Sequence, residues 1–155
     1  TLFRSNMNGE VIGINTAVAG NAENIGFSIP INDVTTQITS ILKNGKLQIP
    51  YLGVRYIMLT DRLKQAYDLS SASGAWIKGS TSELAVINGS PADKAGLKEG
   101  DIIVKVNGEN VDSDNPLAAR LGKYQVGDTV ELTVVRDGKE QVLKVTLEQS
   151  PDSGN

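Results

Sequence analysis

The chain has 155 residues, 39% of them hydrophobic and 21% charged, with a formal net charge of −3, the balance of an ordinary globular protein with room for one domain and part of another. Aromatics make up only 5% and no basic excess is present, which excludes a stacking platform or a cationic groove for nucleic acid. There is no Cys and no His, so the usual zinc site, a Cys nucleophile and a Ser/His/Asp triad cannot be completed within this chain.

The first block reads as two strands and a helix. Residues 10–16, EVIGINT, form a β-like run after the turn pair Asn8-Gly9, and residues 25–29, IGFSI, form another closed by Pro30. Val34, Ile38, Ile41 and Leu42 then recur at helical spacing behind the capping candidates Asn32 and Asp33, with Gly45 after the last turn; this predicts an amphipathic helix over 33–44. So few elements cannot bury a core of their own, and residues 1–45 are expected to be the end of something larger. No apolar run approaches the roughly 18 residues of a membrane span, and Thr1 does not open a targeting segment.

A linker, 46–50, leads into a segment of domain size, 51–149, and the tail 150–155, SPDSGN, reads as disordered. Strands are expected near 52–58, 74–78, 84–87, 101–106, 129–136 and 140–148, and short helices near 61–68, 91–95 and 116–123. Ser90 can cap the second of these helices, with Pro91 in its first position, Asp93 closing a capping box and Gly96 ending it in the left-handed conformation. Asn107-Gly108 and Asp137-Gly138 lie between β-like runs, the strongest local hairpin signal. Asn115 before Pro116 marks the third helix start, and Gly122 or Gly127 bounds its end.

The acidic patch Asp112, Ser113, Asp114 opens like a calcium loop, but Asn115 and Pro116 stand where an oxygen ligand and a turn glycine are needed. A helix start is the better reading. No GxGxxG or GxxxxGK[ST] phosphate loop occurs, so no cofactor and no metal are implied. Lys94, Lys98 and Lys105 read as a wet face, and Asn88-Gly89-Ser90, although a glycosylation sequon, reads as the turn and cap before Pro91.

The run SPADKAGLKEGDIIVKVNGENV at 90–111 resembles the signature SPA-x-x-AGL-x-x-GD-x-I-x-x-VNG of bacterial PDZ domains, and YLGV at 51–54 is the second diagnostic part of that module. The preceding block, NGEVIGINTAVAGNAENIGFSIPINDV, resembles the C-terminal end of the trypsin-like protease domain in the HtrA (Deg) family, where a PDZ domain follows. The fold class implied is α+β and β-rich: a partly open sandwich or barrel of five to six strands with two to three short helices, preceded by the last strands and helix of a trypsin-like barrel. In that family the nucleophile motif GNSGGPL lies just upstream of this block. Residues 1–5, TLFRS, depart from it, so the nucleophile is expected to precede Thr1, and Ser5 is not it. Asn15, Thr16 and Ala17 match positions that offer a strand edge to substrate in trypsin-like folds, and Gly26 lies near the specificity pocket; plain strand residues are the simpler reading.

The resemblance implies that Tyr51, Leu52, Gly53 and Val54 form a loop whose N–H groups, from Leu52, Gly53 and Val54, receive a terminal carboxylate, with the glycine present because a Cβ would crowd that approach. The peptide would add antiparallel to residues 54–58. Alternation puts Val54, Tyr56 and Met58 on one face and Arg55 and Ile57 on the other. Leu117 and Leu121, one turn apart on the third helix, would complete a pocket for an apolar last side chain with Leu52 and Val54; the alternative is that all four are core. Lys46, Arg55 and Arg120 are either groove charges or solvated ones. The expected partners are peptide or protein C-termini with an apolar last residue and the protease domain of a parent trimeric or a multiple of three. That parent is an extracytoplasmic serine endopeptidase in which the module regulates or feeds proteolysis. A PDZ scaffold without a protease, or a groove occluded within the chain, are the alternatives.

Overall fold

A computed structural model of the chain describes residues 3–18, 26–45, 48–80 and 82–150. The chain divides into two compact units, Thr1–Leu47 and Gln48–Asn155.

The first unit is a three-stranded antiparallel sheet, β1 (Phe3–Ser5), β2 (Val11–Val18) and β3 (Gly26–Pro30), in the order β1-β2-β3, followed by the helix α1 (Ile31–Asn44). β1 falls in the divergent TLFRS segment and was not expected. The turn that joins it to β2 is held by Asn6, whose Oδ1 accepts from the N–H groups of Asn8 and Glu10, both at 3.0 Å. α1 begins earlier than the Asn32 or Asp33 caps predict. Pro30, at φ −58° and ψ 139°, is the N-cap and supplies no side-chain bond, because its ring fixes the backbone for helix entry without one. Gly45 ends the helix at φ 71°, its N–H on the Ile41 carbonyl. Within β2 a bulge falls between Asn15 and Ala17, with Asn15 opposite Ser28 and Ala17 opposite Phe27. Val11, Ile12, Ile29, Ile38, Ile41 and Leu42 are exposed.

The second unit is built on one antiparallel sheet. Its strands are β5 (Tyr56–Met58), β6 (Ala75–Ile77), β7 (Ile102–Val106), β9 (Thr129–Arg136) and β10 (Lys139–Thr146), in the order β10-β9-β7-β6-β5, with β8 (Glu109–Asn110) also paired to β7. A separate pair joins β4 (Pro50–Tyr51) to β11 (Glu148–Gln149). Three short helices complete it: α2 (Asp61–Tyr67), α3 (Pro91–Lys94) and α4 (Leu117–Leu121). It is a β-rich fold with open sheets. Asn107 and Gly108, at φ 47° and 80°, and Asp137 and Gly138, at φ 50° and 75°, make the two expected hairpin turns, since only those residue types enter that region cheaply.

The apolar faces meet on one side of the sheet, where Leu52, Ile77, Ile103, Val106, Leu117, Leu121, Val130, Leu132, Val134 and Val145 form the main core. On the other side Leu59, Trp76 and Ile102 pack with Leu63 and Leu69 at α2. Among the described residues no helix is long and apolar enough to cross a membrane.

Four expectations are corrected. The run 52–58 is not one strand: Gly53 sits at φ 85°, which breaks the extended backbone, and regular pairing resumes at Tyr56. The expected strand 84–87 is reduced to a single bridge, Val54 to Val86. The run 140–148 is two strands: the Leu147 N–H still donates to the Asp128 carbonyl, but the Leu147 carbonyl accepts from Gly127 while the Asp128 N–H turns to Gln125, which ends the ladder to β9 before Glu148 pairs with Tyr51. The last linker residues and Ser150 belong to the second unit, since β4 pairs with β11 and the Ser150 N–H donates to the Ile49 carbonyl at 3.1 Å. Residues 151–155 and Lys46 lie outside the described residues.

Candidate functional site

The site grows from two sequence motifs that lie 37 residues apart and pack as one piece. Ser90 caps α3: its Oγ accepts from the Asp93 N–H at 3.3 Å and reaches the Gly53 carbonyl at 3.4 Å, and the side chain is buried. The Ala92 N–H, in the first turn of α3, donates to the Leu52 carbonyl at 2.9 Å. Asp93 closes its box one residue early, accepting from the Gly89 N–H at 2.8 Å, because the Ser90 N–H is already on the Ile87 carbonyl. The SPA element thus anchors the YLGV loop from behind.

This packing explains the glycine, and for a different reason than the sequence suggested. A Cβ at position 53 would lie 2.2 Å from the Ser90 Cβ and 2.5 Å from its Oγ, and φ is 85°. Both facts demand glycine whatever the loop binds.

Peptide planarity then fixes where the loop amides point. In a trans peptide the N–H lies opposite the preceding carbonyl, and the chain has no cis bond. The Leu52 carbonyl faces α3, so the Gly53 N–H points away from α3. The Gly53 carbonyl accepts from the Ile87 N–H at 3.0 Å, so the Val54 N–H points away from that segment. Among the described residues none of the N–H groups of Leu52, Gly53 and Val54 has an acceptor. Gly53 is buried, and an orphaned N–H there costs about 1–3 kcal/mol.

The strand beyond the loop has one side spent and one side open. The Arg55 N–H donates to the Ala85 carbonyl at 2.8 Å, its carbonyl accepts from Lys78 at 3.1 Å, and the Leu59 N–H donates to Gly74 at 2.9 Å. Arg55, Ile57 and Leu59 therefore direct their backbone groups inward. By the two-residue repeat, Val54, Tyr56 and Met58 direct theirs to the outer edge, and β5 is the last strand of the sheet.

The side chains singled out from the sequence take the following places. Val54, Tyr56 and Met58 are half-buried against the main core, while Leu52, Leu117 and Leu121 are members of it, with Leu117 at 0% exposure. The expected apolar pocket is thus a filled seam between the loop and α4. Tyr51 lies in β4 opposite Glu148. Arg120 turns away: its Nε donates to the Asn110 carbonyl at 2.9 Å and its Nη1 pairs with Glu109. Arg55 is held by Glu83, through Nη2 at 3.0 Å and Nε at 2.9 Å, and by the Leu84 carbonyl at 3.1 Å. Lys94 pairs with Glu148. Asp112 accepts from the Asn115 N–H at 2.8 Å and from its side chain at 3.1 Å; the Asn115 side chain, and after it the Asn115 N–H, holds that carboxyl below its usual value. Asn115 thus turns the chain ahead of α4, which starts at Leu117.

Sequence reasoning missed the support beneath this site. Asp101, 1% exposed, binds the Arg136 fork through Nε and Nη2, each at 2.7 Å, and accepts from the Lys98 N–H at 2.8 Å. Arg136 also donates to the Gly96 carbonyl at 2.7 Å. The hydrogen bond to Asp101 raises the Arg136 pKa further above its ordinary value. The GD pair of the motif was the signal, since a carboxylate amid apolar positions needs a buried partner.

Comparison with known proteins identifies the family. The PDZ domain family model matches residues 50–147. The chain is 36% identical over 96% of its length to a probable periplasmic serine endoprotease, DegP-like, of Bartonella henselae, covering 29% of that protein. It is 36% identical over 95% of its length to the serine protease Do-like HtrA of Bacillus subtilis, covering 34% of it. Among solved structures, the HtrA-type protease AlgW with decapeptide aligns over 92% of this chain and 43% of that one, with a TM-score of 0.70 and 26% identity. The chain spans about a third of the length of these curated relatives. It belongs to the PDZ domain family through residues 50–147, and along nearly its whole length it is related to the serine proteases of the DegP/HtrA group.

Proposed function

We propose that the second unit binds the free C-terminus of an extended polypeptide. The terminal carboxylate is received by the N–H groups of Leu52, Gly53 and Val54, and the peptide adds as a strand along Val54, Tyr56 and Met58. The observation that carries this reading is the set of loop amides without acceptors at the head of an open sheet edge. An apolar last side chain enters the seam of Leu52, Val54, Leu117 and Leu121, which opens by side-chain rotation. The solved relative AlgW, described with a decapeptide, supports the reading.

Roughly four backbone hydrogen bonds at about 1 kcal/mol each, with about 2 kcal/mol for one buried side chain, give about 6 kcal/mol. After the peptide's ordering cost, Kd falls between tens of micromolar and millimolar. In the longer protein, this module captures exposed apolar C-termini of damaged proteins and regulates or feeds an extracytoplasmic serine endopeptidase assembled as trimers or their multiples. Catalysis belongs to that parent, because this chain has no His for a triad. The test is a titration with peptides ending in Val, Leu or Phe, each against its C-terminal amide. Amidation weakens binding at least tenfold; equal binding of acid and amide overturns the reading.

A further inference from the structure

We propose that Glu83 sets charge selectivity at the penultimate residue of the bound peptide by parking Arg55 away from the groove. The inference rests on the carboxylate-binding reading and concerns the opposite face of the same edge.

Register follows from backbone geometry. With the terminal carboxylate on the loop amides, the last peptide residue pairs with Val54, whose backbone groups face the open edge. The residue before it then stands opposite Arg55, and side chains opposite each other in an antiparallel pair share a face. That face is the one Arg55 and Ile57 present, away from the main core; Ile57 is exposed.

Arg55 is the cation opposite that position, yet its fork is committed elsewhere. Nε and Nη2 bind the two carboxylate oxygens of Glu83, and Nη1 binds the Leu84 carbonyl. Both partners lie on the 83–85 segment, to which the Arg55 N–H also donates, so the guanidinium is drawn to the inner side of the strand. A second cation on this face, Lys78, sits over the Trp76 ring at 4.8 Å. In this arrangement an acidic penultimate side chain meets an arginine already neutralised, and Glu83 repels it. The side chains of Arg55 and Glu83 are 40% and 52% exposed, which leaves the pair in exchange with water and open to competition.

The test uses the 155-residue chain and three peptides ending in Gln-Val, Glu-Val and Lys-Val. For the unaltered chain the Glu-Val peptide binds no better than Gln-Val. In Glu83→Gln, the freed Arg55 swings to the edge, and the Glu-Val to Gln-Val affinity ratio rises up to about fivefold, the range of an exposed ion pair, with the gain lost at high salt. Arg55→Gln placed on Glu83→Gln returns the ratio to its starting value. A ratio unmoved by Glu83→Gln, or a gain that persists without Arg55, overturns the proposal. Failure of the carboxylate reading has a separate signature, equal binding of acid and amide peptides.

Discussion

Replacing Gly53 with Ala tests the packing between loop and helix directly. Two costs are expected. Alanine at φ 85° carries about 1–2 kcal/mol of left-handed strain. The new methyl, 2.2 Å from the Ser90 Cβ, forces loop and α3 apart at about 1–3 kcal/mol, the range for overpacking. Urea unfolding followed by the fluorescence of the single tryptophan, Trp76, should therefore show a loss of about 2–5 kcal/mol, with Tm falling by about 10 °C or more. The second variant separates the two costs. Ser90→Gly removes both colliding atoms, and because glycine is a tolerated N-cap it costs only a few tenths of a kcal/mol by itself. In the double variant the collision vanishes while the backbone strain stays. It should be more stable than the sum of the singles predicts by about 1–3 kcal/mol. Additivity within about 0.5 kcal/mol would refute the claim that Ser90 dictates glycine at position 53.

Hydrogen exchange should alternate along the edge strand: the amides of Arg55 and Leu59 are protected in the free chain, whereas those of Val54, Tyr56 and Met58 exchange fast and become protected only with an apolar-ended peptide. Uniform protection before peptide is added contradicts the open edge. Asp101→Ala leaves Arg136 partly buried without its carboxylate and should cost about 3–5 kcal/mol in urea unfolding; a loss under 1 kcal/mol would mean that solvent replaces the bridge freely. Glu109 is held below the ordinary glutamate range by the hydrogen bond from Lys123 first and then by the charge of Arg120. Its carboxyl, followed by NMR, should titrate below the ordinary glutamate range, and Lys123→Met should move the midpoint up. Because the folded value is the lower one, this contribution is present above the unfolded pKa and is lost as pH falls through the folded pKa.

The hairpins and the α3 cap were readable because each depends on neighbours in sequence: Asn107-Gly108 makes its turn between two strands, and Ser90, Pro91 and Asp93 need only each other. What was illegible depends on distant partners. Arg120 has the right spacing to face the groove, but Glu109 and the Asn110 carbonyl turn it away. Leu147 continues the alternation of β10, yet its carbonyl is taken by the Gly127 N–H while the Asp128 N–H turns to Gln125, which ends the ladder and sends β11 to β4. For Gly53 the residue was singled out, and the structure adds a reason that its neighbours in sequence do not carry. The loop's own letters suggest a ligand, while the atom that excludes a Cβ belongs to Ser90.

That packing points to how the loop is held. A loop that leaves its own amides without acceptors cannot be stabilised by them, so its geometry must be imposed through its carbonyls. The Leu52 and Gly53 carbonyls are gripped by Ala92, Ile87 and Ser90. Ala92 lies in α3 and Ser90 caps it, while Ile87 belongs to the turn just before; α3 is a helix of four residues, too short to persist alone. α3 is pinned at its far end by the Gly96 carbonyl on Arg136, which is itself fixed by the buried Asp101. The contiguous path from Arg136 through Asp101, Gly96 and Ser90 to Gly53 ties the serine, the glycine and the aspartate of one 19-residue motif to the distant YLGV. Each link transmits position to the next, and the orphaned amides are the end of the line.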